Sequence, residues 1–233
     1  PLRRRGPKGC GPEGFAPISW DEALDETADR LKAAAAKYGP ETVWPYFYAG
    51  TMGLVQRDGI ERLRHTMGYS RQNSTICITL ADAGWLAGAG AKRGTDAREL
   101  ALSDLIVVWG GNPVSTQVNV MTHVSRARKT RGAKLVVVDP YRTPTAEQAD
   151  LHLMVKPGTD AALALGVMHV LFAEGYADRA YMARYAHGAA ELEAHVADKT
   201  PEWAQSVCGV PAATIRDFAR LYGGTKRSFL RLG

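Results

Sequence analysis

Three short turns hold the residues of this 233-residue chain whose types and spacing could grip a phosphate-rich ligand. The first runs Trp109-Gly110-Gly111-Asn112-Pro113-Val114-Ser115-Thr116. Two adjacent glycines let a phosphate come close to the main chain, and a helix starting just after them offers unpaired N–H groups. The second, Asp139-Pro140-Tyr141-Arg142-Thr143, places an acid where a ribose hydroxyl commonly sits and a cation within reach of a diphosphate. The third is Pro157-Gly158-Thr159-Asp160, whose carboxylate can accept two hydrogen bonds from the edge of a guanine base. Each turn alone is commonly structural, since Gly-Gly-Asn, Asp-Pro and Gly-Thr-Asp all serve as turns or helix caps. In sequence they describe a cradle for a dinucleotide. Gly-x-Gly-x-x-Gly is missing, because Asn112 and Pro113 follow the paired glycines, so the usual NAD or FAD fingerprint is not supported.

The elements that must carry these turns form a regular pattern from about Asp104. An apolar run from Leu105 to Trp109, a helical stretch from about Thr116 to Arg131 and a second apolar run from Lys134 to Val138 make a βαβ unit. The runs are hydrophobic throughout, as in a parallel sheet covered on both faces. A strand from Leu151 to Val155, a helix from Thr159, short helices between Asp178 and Tyr222 broken at Gly188, Pro201 and Pro211, and a strand from Arg227 to Leu232 complete the reading. The predicted class is α/β, a Rossmann-like, dinucleotide-binding parallel sheet flanked by helices. In such sheets ligands sit beyond the carboxyl ends of the strands, where all three turns would lie.

Upstream, residues 1–17 are rich in Pro and Gly and read as an extended arm that resists regular structure. Ser19 followed by Glu22 is a capping box for a helix with apolar positions at Ala23, Leu24, Ala28, Leu31 and Ala35, stopped by Gly39 and Pro40. Thr42 to Tyr48 reads as a buried strand despite Pro45, and a second helix spans roughly Val55 to Met67 before Gly68. The expected division is an arm (1–17), a helix-strand-helix segment of a neighbouring cofactor domain (18–75) and the α/β domain (76–233).

Composition excludes several classes. Lys and Arg number 29 against 24 Asp and Glu, and a net charge of +5 is too weak a bias to argue for nucleic acid. The apolar stretch Ala161 to Ala173 is interrupted by His169 and is shorter than the roughly 20 residues of a membrane span. Cys10, Cys77 and Cys208 are far apart with no Cys-x-x-Cys pair, which supports neither a disulfide framework nor a structural zinc site. On its own, Cys77 reads most simply as a buried thiol. His123, His152 and His169 fall in helix or strand patterns and read as locally satisfied.

The three turns and their spacing closely resemble the bis(molybdopterin guanine dinucleotide) oxidoreductases, the dimethyl sulfoxide reductase superfamily of molybdenum and tungsten enzymes. The resemblance also takes in Ile18-Ser19-Trp20-Asp21-Glu22-Ala23, Ala49-Gly50-Thr51, and Asn73-Ser74-Thr75-Ile76-Cys77 leading to Ala83-Gly84. It implies that Trp109 to Thr116, Asp139 to Thr143 and Gly158 to Asp160 contact one of two pterin cofactors. It likewise makes Asn73 a further cofactor contact and Cys77 the protein ligand to the metal, a fifth sulfur beside four dithiolene sulfurs. A soft thiolate suits molybdenum or tungsten and is deprotonated by the metal's charge.

The implied activity is two-electron oxygen-atom transfer or dehydrogenation of a small molecule, with Cys77 at the catalytic centre. Formate dehydrogenases of this family carry His directly after the ligating residue, and Ile78 stands there in this chain, which argues against formate. The resemblance further implies a fragment of a longer catalytic subunit, inactive alone. Its partners would be the remainder of that subunit and an electron-transfer subunit or carrier, with a [4Fe–4S] cluster in an upstream segment. A twin-arginine leader upstream would place the protein in the periplasm, and the cytoplasm is expected otherwise. The rival classes are a non-catalytic electron-transfer scaffold resembling the large iron–sulfur subunit of NADH dehydrogenase, and a nucleotide domain like that of thiamine-diphosphate enzymes. Neither calls for a thiol at Cys77.

Overall fold

The computed structural model describes residues 1–46, 54–72 and 78–233, with the side chains of 54–58 outside that description. The chain divides into two compact units, Pro1–Lys92 and Arg93–Gly233.

In the first unit the N-terminal arm is itself paired. Strand β1 (Leu2–Arg4) runs antiparallel to β2 (Phe15–Pro17), with Leu2 opposite Pro17 and Arg4 opposite Phe15. Composition argued against regular structure here. Pairing is possible because Pro17 closes a strand and Pro7 and Pro12 fall between the two strands, where no ladder N–H is required. Helix α1 (Trp20–Tyr38) begins at the expected capping box: Ser19 Oγ accepts from the Glu22 N–H and Glu22 Oε2 accepts from the Ser19 N–H. Arg3 Nε donates to Glu26 Oε2 at 2.6 Å and ties the hairpin to this helix. Helices α2 (Leu54–Met67) and α3 (Ile78–Ala89) follow.

The strand expected over Thr42–Tyr48 is not formed in its described part. Pro40–Thr42 is a 3-10 turn and residues 43–46 have no strand partner, while 47–48 lie outside the described residues. Pro45 lacks a ladder N–H, and Trp44 and Tyr46 are exposed and meet edge to face at 6.1 Å instead of entering a core.

The second unit is built on a four-stranded parallel sheet, β3 (Leu105–Trp109), β4 (Lys134–Val138), β5 (Leu151–Leu153) and β6 (Ser228–Leu232), in the order β5-β4-β3-β6. β3 and β4 form where the apolar runs predict them. β5 ends two residues early because β4 stops at Val138, which pairs with Leu153, and nothing remains for 154–155 to pair with. Alternate strand residues face opposite layers. Leu105, Val107, Val136, Val138 and Leu153 pack against α6 (Asp160–Ala173), α9 (Pro201–Cys208) and α10 (Ala212–Gly224). Ile106, Val108, Leu135 and Val137 pack against α5 (Val118–Arg131) and Leu100. Coverage of both faces explains why the strands are apolar throughout. Two short helices, α7 (Arg179–Tyr185) and α8 (Ala189–Val196), join α6 to α9, with breaks at the expected Gly188 and Pro201.

The helix predicted from about Thr116 to Arg131 is α5, which starts two residues later, and a separate short turn precedes it. That turn, α4 (Pro113–Thr116), is separated from α5 by Gln117, whose non-helical backbone (φ −144°, ψ 57°) interrupts the helical path. Gln117 Oε1 in turn accepts from Arg231 of β6 at 2.7 Å.

Two features of this unit can be tested by stability. On α6, a Cβ at Gly166 would lie 2.6 Å from the Ala204 Cβ of α9, so the two helices approach through glycine. Replacing glycine in a helix gains about 1 kcal/mol, but overpacking costs about 1–3 kcal/mol. The clash wins for a branched side chain. Gly166→Val is expected to lower the midpoint of thermal unfolding by several degrees, and an unchanged or raised midpoint would mean that α6 and α9 can part freely.

Asp104, just before β3, accepts from Arg131 of α5 at 2.9 Å and from Arg227 beside β6 at 2.8 Å. The Arg227 hydrogen bond foremost, and that of Arg131 against some desolvation, hold its carboxyl below the usual carboxylate range. A carboxyl lowered by folding contributes stability above its unfolded pKa, about 3.9, and loses it as the pH falls through the folded value. The thermal midpoints of wild type and Asp104→Asn should therefore differ at neutral pH and converge below about pH 4. A gap that persists in strong acid would assign the effect to packing.

Candidate functional site

β3, β4 and β5 run parallel, so the segments that follow them, beginning at Gly110, Asp139 and Met154, all leave the sheet from one edge. Chain order runs from β3 to β4 to β5 in one direction and then returns to β6 on the other side of β3. The reversal lies between β3 and β6, so Trp109 to Thr116 sits at the switch point where open α/β sheets bind ligands.

In the first turn Gly110 adopts φ +69°, a conformation that favours glycine, and the position a Cβ would take is open space. The expected row of free helix N–H groups is mostly absent. Pro113 has none, the Val114 N–H donates to Thr145 Oγ1 at 3.1 Å, and those of Ser115 and Thr116 donate to the Asn112 carbonyl. For the N–H groups of Gly111 and Asn112 there is no partner among the described residues. The unpaired donors are thus in the turn itself and not in the helix after it. Asn112 is held by both ends of its amide: Oδ1 accepts from the Thr145 hydroxyl at 2.7 Å and Nδ2 donates to Ser115 Oγ at 3.1 Å.

Thr145 is fully buried and was not legible as part of the site. Its two partners lie more than 30 residues away, and its only sequence signal is a hydroxyl beside the Asp-Pro-Tyr-Arg-Thr motif.

In the second turn Asp139 is 7% exposed and its Oδ1 accepts from the Tyr141 N–H at 3.2 Å, so part of this carboxylate holds the turn. His152 Nε2 meets the Asp139 carbonyl at 3.0 Å. Tyr141 and Arg142 are exposed, and Arg142 has no ion-pair partner among the described residues. Thr143 is buried, with Oγ1 accepting from the Ala146 N–H, which makes it an internal brace of the turn.

In the third turn Gly158 has φ +77° and Thr159 precedes α6, donating its hydroxyl to the Lys156 carbonyl at 2.6 Å. The N–H groups of Asp160 and Ala161 begin a 14-residue helix and have no partner among the described residues. Asp160 Oδ1 accepts from the Trp109 indole N–H at 2.7 Å, which joins the first turn to the third. The structure therefore brings the Gly110-Gly111 turn, Arg142 and Asp160 to one edge, with Pro113, Thr143 and Thr145 buried beneath. An edge with open space at Gly110, unpaired N–H groups, an unpaired cation and a carboxylate can take a ligand that carries both negative charge and hydrogen-bond donors. Asn73 and Cys77 lie outside the described residues. Among the described residues no group of three or more His, Cys, Asp or Glu is placed to hold a metal ion. His169 Nδ1 meets the Val196 carbonyl as expected of a local histidine, but the buried Nδ1 of His123 has no partner among the described residues.

A family profile described as molybdopterin oxidoreductase matches residues 1–198. The chain belongs to the molybdopterin oxidoreductase family. This is an oxidoreductase family whose members use a molybdopterin cofactor with molybdenum or tungsten. Among curated relatives, the probable oxidoreductase YoaE of Bacillus subtilis is 39% identical over 100% of this chain and 34% of its own length. Formate dehydrogenase H of Escherichia coli is 32% identical over 99% of this chain and 32% of its own. The chain thus spans about a third of the length of the curated relatives it matches. Acetylene hydratase from Pelobacter acetylenicus shares the fold with a TM-score of 0.67 at 24% identity, over 100% of this chain and 32% of that one.

Proposed function

We propose that this molybdopterin oxidoreductase chain is part of a catalytic subunit that carries bis(molybdopterin guanine dinucleotide), and that residues 93–233 hold one of the two guanine-tailed pterins. The supporting observation is the edge itself: three turns leave one side of the sheet, the first of them at its switch point, and Trp109 ties the first to the third at 2.7 Å. In this reading the Asp160 carboxylate accepts from the guanine edge, and Asp139 supplies an acceptor for a ribose hydroxyl. The free N–H groups of Gly111 and Asn112, with Arg142, meet the diphosphate charge. Thr145 and Thr143 hold the first and second turns so that these groups need not reorganise when the ligand arrives.

Residues 18–75 then belong to a neighbouring cofactor domain, in which Asn73 makes a further contact. Cys77 supplies a thiolate to molybdenum or tungsten. When bound, the cofactor contributes two-electron chemistry, oxygen-atom transfer or dehydrogenation of a small-molecule substrate. The chain's part is to orient the pterin, furnish one sulfur and exclude water. A [4Fe–4S] cluster and an electron-transfer partner are proposed for the longer subunit. Ile78, directly after Cys77, leaves no imidazole to take a proton, so formate is not the proposed substrate.

Metal analysis of the full-length subunit, together with GMP released from it by acid hydrolysis, tests the reading. The expected result is molybdenum or tungsten with two GMP for each metal. Metal without GMP would replace the dinucleotide with a shorter pterin, and neither metal nor GMP would favour the electron-transfer scaffold.

A further inference from the structure

The hydrogen bond from Trp109 Nε1 to Asp160 Oδ1 spans 51 positions of sequence and links the exit of β3 to the first residue of α6. Its polarity is fixed, because an indole N–H only donates and a carboxylate only accepts. Trp109 is half-buried and packs against the layer of core between the sheet and α6, α9 and α10. Its donor is therefore anchored by the body of the ring. A carboxylate has about four lone-pair directions and a broad, soft torsion about its terminal bond. Taking one lone pair restrains that torsion and leaves the others open.

A base with two neighbouring N–H donors needs a carboxylate held in a set plane. Guanine presents such a pair, N1–H and the 2-amino group. Hypoxanthine presents only the first, and adenine presents an acceptor at N1. We propose that Trp109 is the specificity-determining residue of this edge: it positions the plane of Asp160 so that the carboxylate reads the 2-amino group of guanine beside N1–H. This rests on the assignment of Asp160 to the guanine made above.

The test is calorimetric titration of the full chain, purified without cofactor, with GDP, IDP and ADP. Wild type should bind GDP about tenfold more tightly than IDP, the value of one hydrogen bond to a charged group. Trp109→Phe keeps the apolar body and removes the donor. It should bring GDP down to the IDP level and leave IDP within about twofold of wild type, since the lost bond is the one that orders the 2-amino contact. A merely structural tryptophan would weaken all three nucleotides alike.

Asp160→Asn gives an independent readout that needs no change at Trp109. The indole can only donate, so it draws the amide oxygen toward itself and leaves the amide N–H2 group for the base. Preference should then pass from GDP to XDP, whose carbonyl replaces the 2-amino group. Wild type with no preference for GDP over ADP would remove the Asp160 assignment and the proposal with it. A GDP-to-IDP ratio that survives in Trp109→Phe would overturn the role of Trp109 and leave the assignment of Asp160 in place, whereas an Asp160→Asn chain that still prefers GDP to XDP would overturn both.

Discussion

Cys77→Ala in the full-length subunit is expected to bring turnover to background while fold and GMP content stay at wild-type levels. Loss of an outer-shell partner of a metal ligand costs roughly 10–100-fold in affinity or activity, and removal of the ligand itself should cost more. The expectation follows from the proposed place of Cys77 in the Asn73-Ser74-Thr75-Ile76-Cys77 motif, where a strongly donating thiolate suits the metal. GMP content should hold because the proposed guanine edge within residues 93–233 does not include Cys77, and the second guanine is proposed to be held elsewhere in the subunit. Rates near wild type, measured beside an unchanged melting curve, would make Cys77 a packing thiol. Loss of GMP along with activity would instead indicate that the substitution had disturbed the fold.

Asp160→Ala is expected to reduce the guanine content of the purified subunit, read again as GMP released on hydrolysis. A buried donor pair left without its acceptor costs about 1–3 kcal/mol, which is roughly five- to 150-fold in retention. The substitution also strips the Trp109 N–H of its acceptor and removes an acidic group from the first turn of α6, so some loss of stability accompanies it. The two effects separate by comparison with Asp160→Asn, which keeps an acceptor for Trp109. If stability explains the loss, Asn should restore the content; if the base contact explains it, Asn should not. Full GMP content in the alanine variant would take Asp160 out of the site.

What the amino-acid order revealed follows from how local each signal is. The capping box at Ser19 and Glu22, the apolar runs of β3 and β4, and the helix breaks at Gly188 and Pro201 are each decided within a few residues, and each stands where it was read. The α/β class followed from the same local signals, because strands without alternation require two covering layers. What could not be read depends on partners distant in the chain. β5 stops where β4 does, the start of α4 has its donors taken by Thr145 and Asn112, and Asp160 has Trp109 as a neighbour. The three turns were visible as a set because they arrive in order, each at the exit of an apolar run. Thr145, an ordinary hydroxyl, was not.

The placement of β6 sets the order in which this sheet can be assembled during synthesis. β3, β4 and β5 emerge from the ribosome within some 50 residues of one another and can pair early, whereas the strand on the other side of β3 appears only with Ser228–Leu232. Arg227, which grips Asp104 across 123 positions, arrives at the same moment. The strand that ends at Trp109 therefore lacks one of its two neighbours until translation has passed residue 232, and the switch point beside Gly110 does not exist before then.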